Sequence, residues 1–433
     1  MELKQLFYPK SIALIGASNK PGKVGFTLAN KLLNFQGKVF YVNVEGYTIN
    51  EKEVYKSITE INEKIDLAIL AIPAVFIIKT LKECTQKGIK NIIIISAVFT
   101  GEKRKILEDE IKQISKKNKL NILGPNAFGI FNKSNKLDCT FSNASPQKGN
   151  ISIISQSGAL YSSIVDYSHA NNFGISKFIS LGDMVNIGFD ESLEYLIKDK
   201  ETNVIFIYME SLRNGKEFMK IIKKSRKPIV VLKGGKNSGG KKATYSHTGS
   251  LSGEYEIYKS AIKQAGAYFV ESLTESLELL KFMSTQKKPK NNKVLIITNA
   301  GGPGVLLTDF LENEKIPIAK IPNTIKFTDF PSTNPLDLMG DAQPERFKEV
   351  LNKIKNNNFY DILILILTPQ EMTNDKEIVS LVSNFRKKTN KPVMVCLLGK
   401  ESFKFAFWLL ETNNIPNFNN IESPARLLKN IFN

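Results

Sequence analysis

Short runs of β-branched residues alternate with amphipathic stretches along the whole chain, and this alternation leaves few folds open. A first set of candidate strands lies at Ser11–Ile15, Lys38–Val42, Leu67–Ala71, Asn91–Ser96 and Asn121–Leu123. A second runs through Ile151–Ile154, Lys177–Ile179, Val204–Tyr208, Ile229–Leu232 and Tyr268–Val270, and a third through Val294–Thr298, Ile362–Leu367 and Val393–Leu397. Strands spaced by helical patterns predict parallel sheets built from right-handed βαβ units, so the expected fold class is α/β. A chain of 433 residues exceeds one ordinary core and suggests two or three domains. The polar stretch TQKKPKNNK, Thr285 to Lys293, is the best linker. The second and third sets open alike: ISIISQSGALYSS and VLIITNAGGPGVLLTD are each a strand, a Gly-containing loop and a helix, which hints at a repeated domain type.

Composition excludes several classes. Apolar runs such as Asn91–Phe99 and Asp361–Leu367 fall far short of the roughly 20 residues a transmembrane helix needs. The N-terminus MELKQLFYPKSIALIGAS is charged and breaks its apolar stretch too early for a secretory signal. Cys84, Cys139 and Cys396 lie far apart with no CxxC pair, arguing against a disulfide framework or zinc site and for a reducing cytoplasm. The formal charge of +18 raises nucleic acid as a partner, but the lysines are scattered and no nucleic-acid motif accompanies them. Small polyanions such as nucleotides and coenzyme A remain suitable ligands.

Three glycine loops invite phosphate. GASNKPGKVG, Gly16 to Gly25, follows a strand and opens a helix, where backbone N–H groups and the helix dipole favour anions. Its first glycine interval, Gly16 to Gly22, departs from GxGxxG, although Glu45 could imitate the ribose-binding acid of an NAD site; a longer loop suits a larger phosphorylated ligand. GKNSGGKK, Gly235 to Lys242, nearly spells a nucleotide-binding loop, but Lys242 stands where a Ser or Thr should hold Mg²⁺. SQSG, Ser155 to Gly158, brings two hydroxyls to a helix start and can cradle phosphate or simply cap the helix.

YSHTGSLSG, residues 245 to 253, carries one of only two histidines in the chain. Histidine can attack phosphorus, hold the phosphoryl group and release it to an acceptor, given space, donors and an orienting partner. Small and hydroxyl-bearing neighbours supply the first two around His247. Glu210, which ends the apolar run IFIYMES, is the best orienting carboxylate, placed where α/β sheets bind ligands. His169, at an expected helix end, reads as structural through interaction with the helix C-terminus.

The segments SIALIGASNKPGKVG, NILGPNAFGIFN, LDCTFSNASPQKGNISIISQSGAL, SKFISLGD, YSHTGSLSG, ITNAGGPGVLLTD, NPLDLMGDA and ILTPQEMT, in this order, carry a resemblance nearly end to end. The chain resembles the α subunit of ADP-forming acyl-CoA synthetases (acetate–CoA ligase, ADP-forming), relatives of the succinyl-CoA synthetase α chain. The resemblance implies an N-terminal Rossmann-like CoA-binding domain (1–130) followed by two flavodoxin-like parallel-sheet domains: a ligase domain with the phosphohistidine (145–285) and a third domain (293–433). It implies that phosphate attacks an acyl-CoA thioester, giving an acyl phosphate and free CoA. His247 then takes the phosphoryl group, Glu210 orients it, and Ser155, Gln156, Ser157, Gly158 and Gly249 bind phosphate. Gly16, Ala17, Ser18, Lys23, Val24 and Gly25 are expected to contact CoA, with Pro73, Ser96 and Asn126 at its thiol end. ADP or ATP and Mg²⁺ are expected on a separate ATP-grasp β subunit in a heteromer, α2β2 in form; no metal, nucleic-acid or membrane site is expected on this chain. The sequence departs from the family at Val44–Glu45, where a cation is usual, at Val98, where Gly is usual, at Ala127, where Cys is usual, and in a short stretch between Lys320 and Asn334. The runner-up is a non-catalytic CoA-binding regulatory or scaffolding protein of the same fold.

Overall fold

The computed structural model of the chain describes residues 3–97, 99–248 and 253–432; for residues 245–248 it describes the backbone alone. Three sheets account for the strands. The first contains β1 (Ser11–Ile15), β2 (Lys38–Val42), β3 (Thr48–Ile49), β4 (Lys52–Tyr55), β5 (Leu67–Leu70), β6 (Asn91–Ile94) and β7 (Asn121–Leu123), in the order β3-β4-β2-β1-β5-β6-β7. Apart from β3, which runs antiparallel to β4, its pairs are parallel. Counting from β1 and setting the short β3 aside, the order is that of a Rossmann fold.

The second sheet contains β8 (Ile130–Asn132), β9 (Leu137–Asp138), β10 (Lys148–Ser155), β11 (Ile175–Ser180), β12 (Val204–Met209), β13 (Ile229–Lys233) and β14 (Tyr268–Val270), ordered β14-β13-β12-β10-β11-β8-β9. The third contains β15 (Val294–Thr298), β16 (Leu336–Asp337), β17 (Ile362–Leu367), β18 (Val393–Leu397) and β19 (Asn417–Phe418), ordered β16-β15-β17-β18-β19. Both follow the flavodoxin order in which the first strand lies between the second and third, the second sheet adding β8 and β9 along the free side of β11. The fold class expected from the sequence is therefore found.

Burial explains the strand composition. All five residues of β1, β13, β15 and β18 are buried, as helices covering both sheet faces require. Each crossover helix turns one apolar stripe inward. In Gly215–Lys224 the buried residues Phe218, Ile221 and Ile222 fall at i, i+3 and i+4, Asn214 caps the start by accepting from Glu217 N at 3.2 Å, and Lys223 and Lys224 lie in the last turn.

The chain forms two compact units, one of residues 1–170 and 174–269 and one of residues 171–173 and 270–433. Within the first, the two seven-stranded sheets share a core; Asn132 Nδ2 donates to Phe7 O at 2.8 Å, and the Arg104 guanidinium meets Asp183 at 2.8 Å. Within the second, the helix Leu273–Thr285 lies against Glu422–Phe432, Asn430 Nδ2 reaching Glu275, and Lys281 forms a buried ion pair with Glu411.

Among the described residues no helix is long and apolar enough to cross a membrane. The three cysteines are core residues, each with an unpaired thiol. Burial pushes the thiols of Cys84 and Cys139 up to about 12 and that of Cys396 higher still. Ellman's reagent should accordingly label no thiol in the folded chain at pH 8 and three per chain in guanidinium; rapid labelling of any of them under native conditions would contradict this packing.

Candidate functional site

Open parallel sheets bind ligands outside the carboxyl ends of their strands, where the strand order changes direction. In the first sheet that point lies between β1 and β5. A cavity of about 690 Å³ opens there, lined by Gly16 after β1, Asn43 to Glu45 after β2, and Ala71 to Pro73 after β5. Of the residues expected to contact CoA, Gly16, Ser18, Lys23, Val24, Gly25 and Pro73 line this cavity. Two glycines make its floor possible. A Cβ on Gly25 would sit 2.0 Å from the Gly16 carbonyl oxygen, and one on Gly16, at φ +88°, would sit 2.2 Å from the Ala71 carbonyl oxygen. The helix Val24–Lys31 can therefore begin directly against the strand ends.

Ala17 is buried; its carbonyl accepts from Asn43 Nδ2 at 2.8 Å and from the Tyr47 hydroxyl at 2.9 Å, so it supports the cavity wall. Ser96 accepts from Ile72 N at 3.1 Å, and Asn126, at φ 57°, donates its N–H to the Ser96 carbonyl at 2.9 Å. The expected thiol-end residues Pro73, Ser96 and Asn126 thus lie on loops bonded to one another. Ala127 is buried, and Val98 lies outside the described residues.

Cavity electrostatics were only partly visible in the sequence. Lys20, Lys23, Lys56 and Lys79 line it together with Glu45 and Glu83. Glu45 pairs with Lys20 at 3.4 Å and Glu83 with Lys79 at 3.9 Å. The acid at position 45 thus has a lysine partner on the loop after β1, and Lys23 and Lys56 present further cations to a phosphorylated ligand. Lys20, Lys56, Lys79 and Tyr47 were not singled out from the sequence, because only the fold brings the segments after β1, β2, β4 and β5 to one place.

In the second sheet the order changes direction between β10 and β12. Their paired ends carry the turn Ser155–Gly158 and Glu210, with Ser155 opposite Tyr208 in register. The Ser155 hydroxyl donates to Ser157 O at 2.7 Å and accepts from Ser157 N at 3.0 Å, which fixes the turn. Ser157 Oγ accepts from Leu160 N at 3.4 Å at the start of the helix Gly158–Ala170. The first N–H groups of a helix have no intrahelical acceptor, so this turn aims donors and positive dipole outward. A Cβ on Gly158 would sit 2.3 Å from Phe128 Cβ, and Phe128 N donates to Ser180 Oγ at 2.8 Å. The segment from Asn126 to Phe128 therefore joins the loops of the first sheet to the turn of the second.

Gln156 occupies a different place from the other turn residues. Its Oε1 accepts from the backbone N–H of Glu210 and, at 2.9 Å, of Ser211, while its Nε2 donates to Ser211 Oγ at 3.2 Å. The side chain braces the end of β12 against the turn. Glu210 is buried, not turned into solvent as an ordinary strand-end acid would be. Burial together with the neighbouring negative charge of Glu210 raises the Tyr208 phenol. Lys233, at the end of β13, is buried and donates to Glu210 O at 2.8 Å; burial pulls its ammonium down to about 8 against the opposing pull of Glu210. Tyr208, Ser211 and Lys233 were missed from the sequence, although a lysine closing the apolar run PIVVLK is a usable signal.

The His247 side chain and all of Gly249 lie outside the described residues; the backbone of residue 247 belongs to the helix Ser238–Thr248. His169 takes a structural place with other partners than expected. Its Nε2 donates to Ser145 O at 3.0 Å and its Nδ1 faces the Gln147 amide at 3.5 Å, so it ties the helix to the preceding loop, not to its own C-terminus. The third sheet reproduces the turn of the second: Thr298 Oγ1 donates to Ala300 O at 2.9 Å and accepts from Ala300 N at 3.0 Å, and the Asn299 amide bonds both backbone groups of Thr368 beyond the adjacent strand. The similarity of the two openings is thus a similarity of hydrogen bonding.

Comparisons with known proteins agree with this architecture. Residues 10–133 match a CoA binding domain and residues 148–283 a succinyl-CoA ligase like flavodoxin domain. The acetate–CoA ligase [ADP-forming] II subunit alpha of Pyrococcus furiosus is 37% identical over 439 residues, covering 98% of this chain and 96% of that one. The chain belongs to the ADP-forming acyl-CoA synthetase family. Within this family, the acetate–CoA ligase [ADP-forming] of Methanocaldococcus jannaschii is 40% identical across the whole chain. The chain spans 63% of that relative's length and 61% of the Archaeoglobus fulgidus acetate–CoA ligase [ADP-forming] I. Among solved structures, acetyl-coenzyme A synthetase 1 of Ca. Korarchaeum cryptofilum, in complex with phosphate and ADP, matches with a TM-score of 0.94 and 28% identity over 100% of this chain and 96% of that one.

Proposed function

We propose that the chain is the α subunit of an ADP-forming acyl-CoA synthetase of the acetyl-CoA type, a reversible acid–thiol ligase. One observation carries the reading: a phosphate-suited helix start and a buried carboxylate, Glu210, meet at the ends of two adjacent parallel strands, braced by Gln156. CoA is the substrate of the first cavity. Gly16, Ser18, Lys23, Val24 and Gly25 would hold its phosphates and pantetheine, Ala17 would back them, and Pro73, Ser96 and Asn126 would line the thiol end.

A phosphate oxygen attacks the thioester carbonyl, the C–S bond breaks, and CoA leaves as the thiol with an acyl phosphate as product. An imidazole nitrogen of His247 then attacks phosphorus, and the bond to the acyl oxygen breaks, releasing the carboxylate. The group is held as a phosphoramidate. Glu210 orients the ring and stabilises its positive charge, while the helix start at Ser155–Gly158 and the backbone at Gly249 bind phosphoryl oxygens. Gln156 would serve that turn through its backbone, its amide being committed to the β12 end.

Delivery to ADP, with Mg²⁺, belongs to a separate ATP-grasp β subunit in a cytoplasmic α2β2 heteromer. Its support is the match to subunits named alpha and the greater length of the other relatives. The division into working domains 1–130, 145–285 and 293–433 is part of the same proposal. Glu45 and Val98 motivate the runner-up, a non-catalytic CoA-binding protein; Glu45 pairs with Lys20 at 3.4 Å, and Val98 lies outside the described residues. Incubation of the full chain with acetyl-CoA and labelled phosphate should place an acid-labile, base-stable label on the protein, and added ADP should discharge it only with the partner present. A chain that binds CoA yet takes no label overturns the catalytic reading.

A further inference from the structure

We propose that Lys56 reads the 3′-phosphate of coenzyme A and so sets a preference for CoA over its 3′-dephospho form, an inference that rests on the CoA reading of the first cavity. Coenzyme A is a linear ligand: an adenine-bearing ribose with its 3′-phosphate, then a diphosphate, then pantetheine ending in the thiol. The sheet beneath the cavity has its own order, β4-β2-β1-β5-β6-β7, with every neighbouring pair parallel, so the segments leaving these strands open on one edge. The helix start at Lys23–Gly25 follows β1 and suits the diphosphate. Pro73, Ser96 and Asn126, assigned to the thiol end, follow β5, β6 and β7. With the diphosphate over β1 and the thiol toward β7, the ribose falls on the remaining side, over β2 and β4. The same side reads the ribose in dinucleotide-binding sheets of this order.

Lys56 stands there. Val42 of β2 lies opposite Tyr55 of β4 in register, so Lys56 leaves the sheet beside Asn43. Two strand spacings, about 10 Å, separate β4 from β1, a gap that a ribose and a lysine side chain span together. The lysine stem has a prepared bed. A Cβ on Gly46, at φ +57°, would sit 3.2 Å from Lys56 Cε and 3.7 Å from its Cγ, so the stem runs along bare backbone. Asn43 holds that backbone: its Nδ2 donates to Ala17 O at 2.8 Å, its Oδ1 accepts from Glu45 N at 3.0 Å, and its carbonyl accepts from Gly46 N at 3.3 Å. Lys56 N donates to Glu60 Oε2 at 2.9 Å, which fixes the other end.

The four lysines lining the cavity divide by partner. Lys20 is paired with Glu45 and Lys79 with Glu83. Lys23 immediately precedes the helix start and falls to the diphosphate. Lys56 is exposed and makes no ion pair among the described residues, which leaves its ammonium for the second phosphate of the ligand. A dianionic phosphate there gains a charge-assisted hydrogen bond, about twice as strong as a neutral one.

Isothermal titration of the full chain with CoA and with 3′-dephospho-CoA tests this, since the two ligands differ by that phosphate alone. Wild type should bind CoA about tenfold more tightly than dephospho-CoA. Lys56→Met keeps the stem and loses the charge; it should weaken CoA about tenfold, leave dephospho-CoA unchanged and so abolish the preference. Lys23→Met should weaken both ligands alike, because both carry the diphosphate. Equal affinity of wild type for the two ligands, a preference that survives in Lys56→Met, or an equal loss of both ligands in that variant overturns the inference while leaving CoA in the cavity. If wild type binds neither ligand, the CoA reading itself fails and this inference falls with it.

Discussion

Chains with Ala at position 247 take up no acid-labile phosphate from acetyl-CoA and labelled phosphate, and Glu210→Gln chains take it up about 10²- to 10⁴-fold more slowly than wild type. The two expectations differ in kind. Alanine leaves no atom to which phosphorus can bond, so nothing short of complete loss agrees with a histidine carrier. Glutamine preserves the shape of Glu210 and one acceptor oxygen but cannot balance the imidazolium, and its amide favours the wrong ring tautomer. The burial of Glu210 decides the size of that effect: a carboxylate in solvent would be screened, whereas this one stands at a strand end with its backbone fixed by Gln156 and Lys233. Both variants should bind CoA as wild type does, since the cavity between β1 and β5 contains neither residue. Rapid-quench labelling with equilibrium CoA titration on the same samples checks both halves, and retained label on His247→Ala would remove histidine from the mechanism.

Most strands of three or more residues were legible in the sequence, the edge strands β7 and β14 among them, whereas the two-residue strands were not. Ser11–Ile15 and Val294–Thr298 match the structure to the residue, because a strand covered on both faces must be a continuous apolar run, and Lys38–Val42 matches as well although Lys38 is exposed. β3, β9, β16 and β19 have two residues each, too few for any periodicity, and β8 reads as part of a loop because its sequence is only IFN. Candidate sites followed the same division. Gly16, Gly25, Ser155 and Glu210 announce themselves by residue type beside a strand end. The Lys20–Glu45 pair does not, because it depends on a neighbour that only strand order supplies: the loop after β2 beside the loop after β1. Gln156 was read from its loop, yet its side chain bonds to residues more than fifty positions away.

Gly25→Ala should weaken CoA binding at least tenfold and lower the melting temperature, although the substitution favours a helix in isolation. Alanine is preferred over glycine inside helices by about 1 kcal/mol, and residue 25 lies within the helix Val24–Lys31. Against this, the new Cβ would stand 2.0 Å from the Gly16 carbonyl oxygen and 3.2 Å from Ser18 N. These are backbone atoms and cannot rotate away, so the helix start must retreat from the strand ends. Overpacking of this kind costs about 1–3 kcal/mol or more, which outweighs the propensity gain. The retreat displaces Val24 and Lys23, both of which line the cavity, so the loss falls on the ligand as well as on the fold. Gly22→Ala is the control, for its Cβ would meet nothing within 4 Å; its only penalty is the backbone at φ +83°. Isothermal titration with CoA and thermal unfolding of both variants separate the effects: Gly22→Ala should lose some stability and keep most of its affinity. Equal CoA affinity in wild type and Gly25→Ala would place the coenzyme elsewhere on the chain.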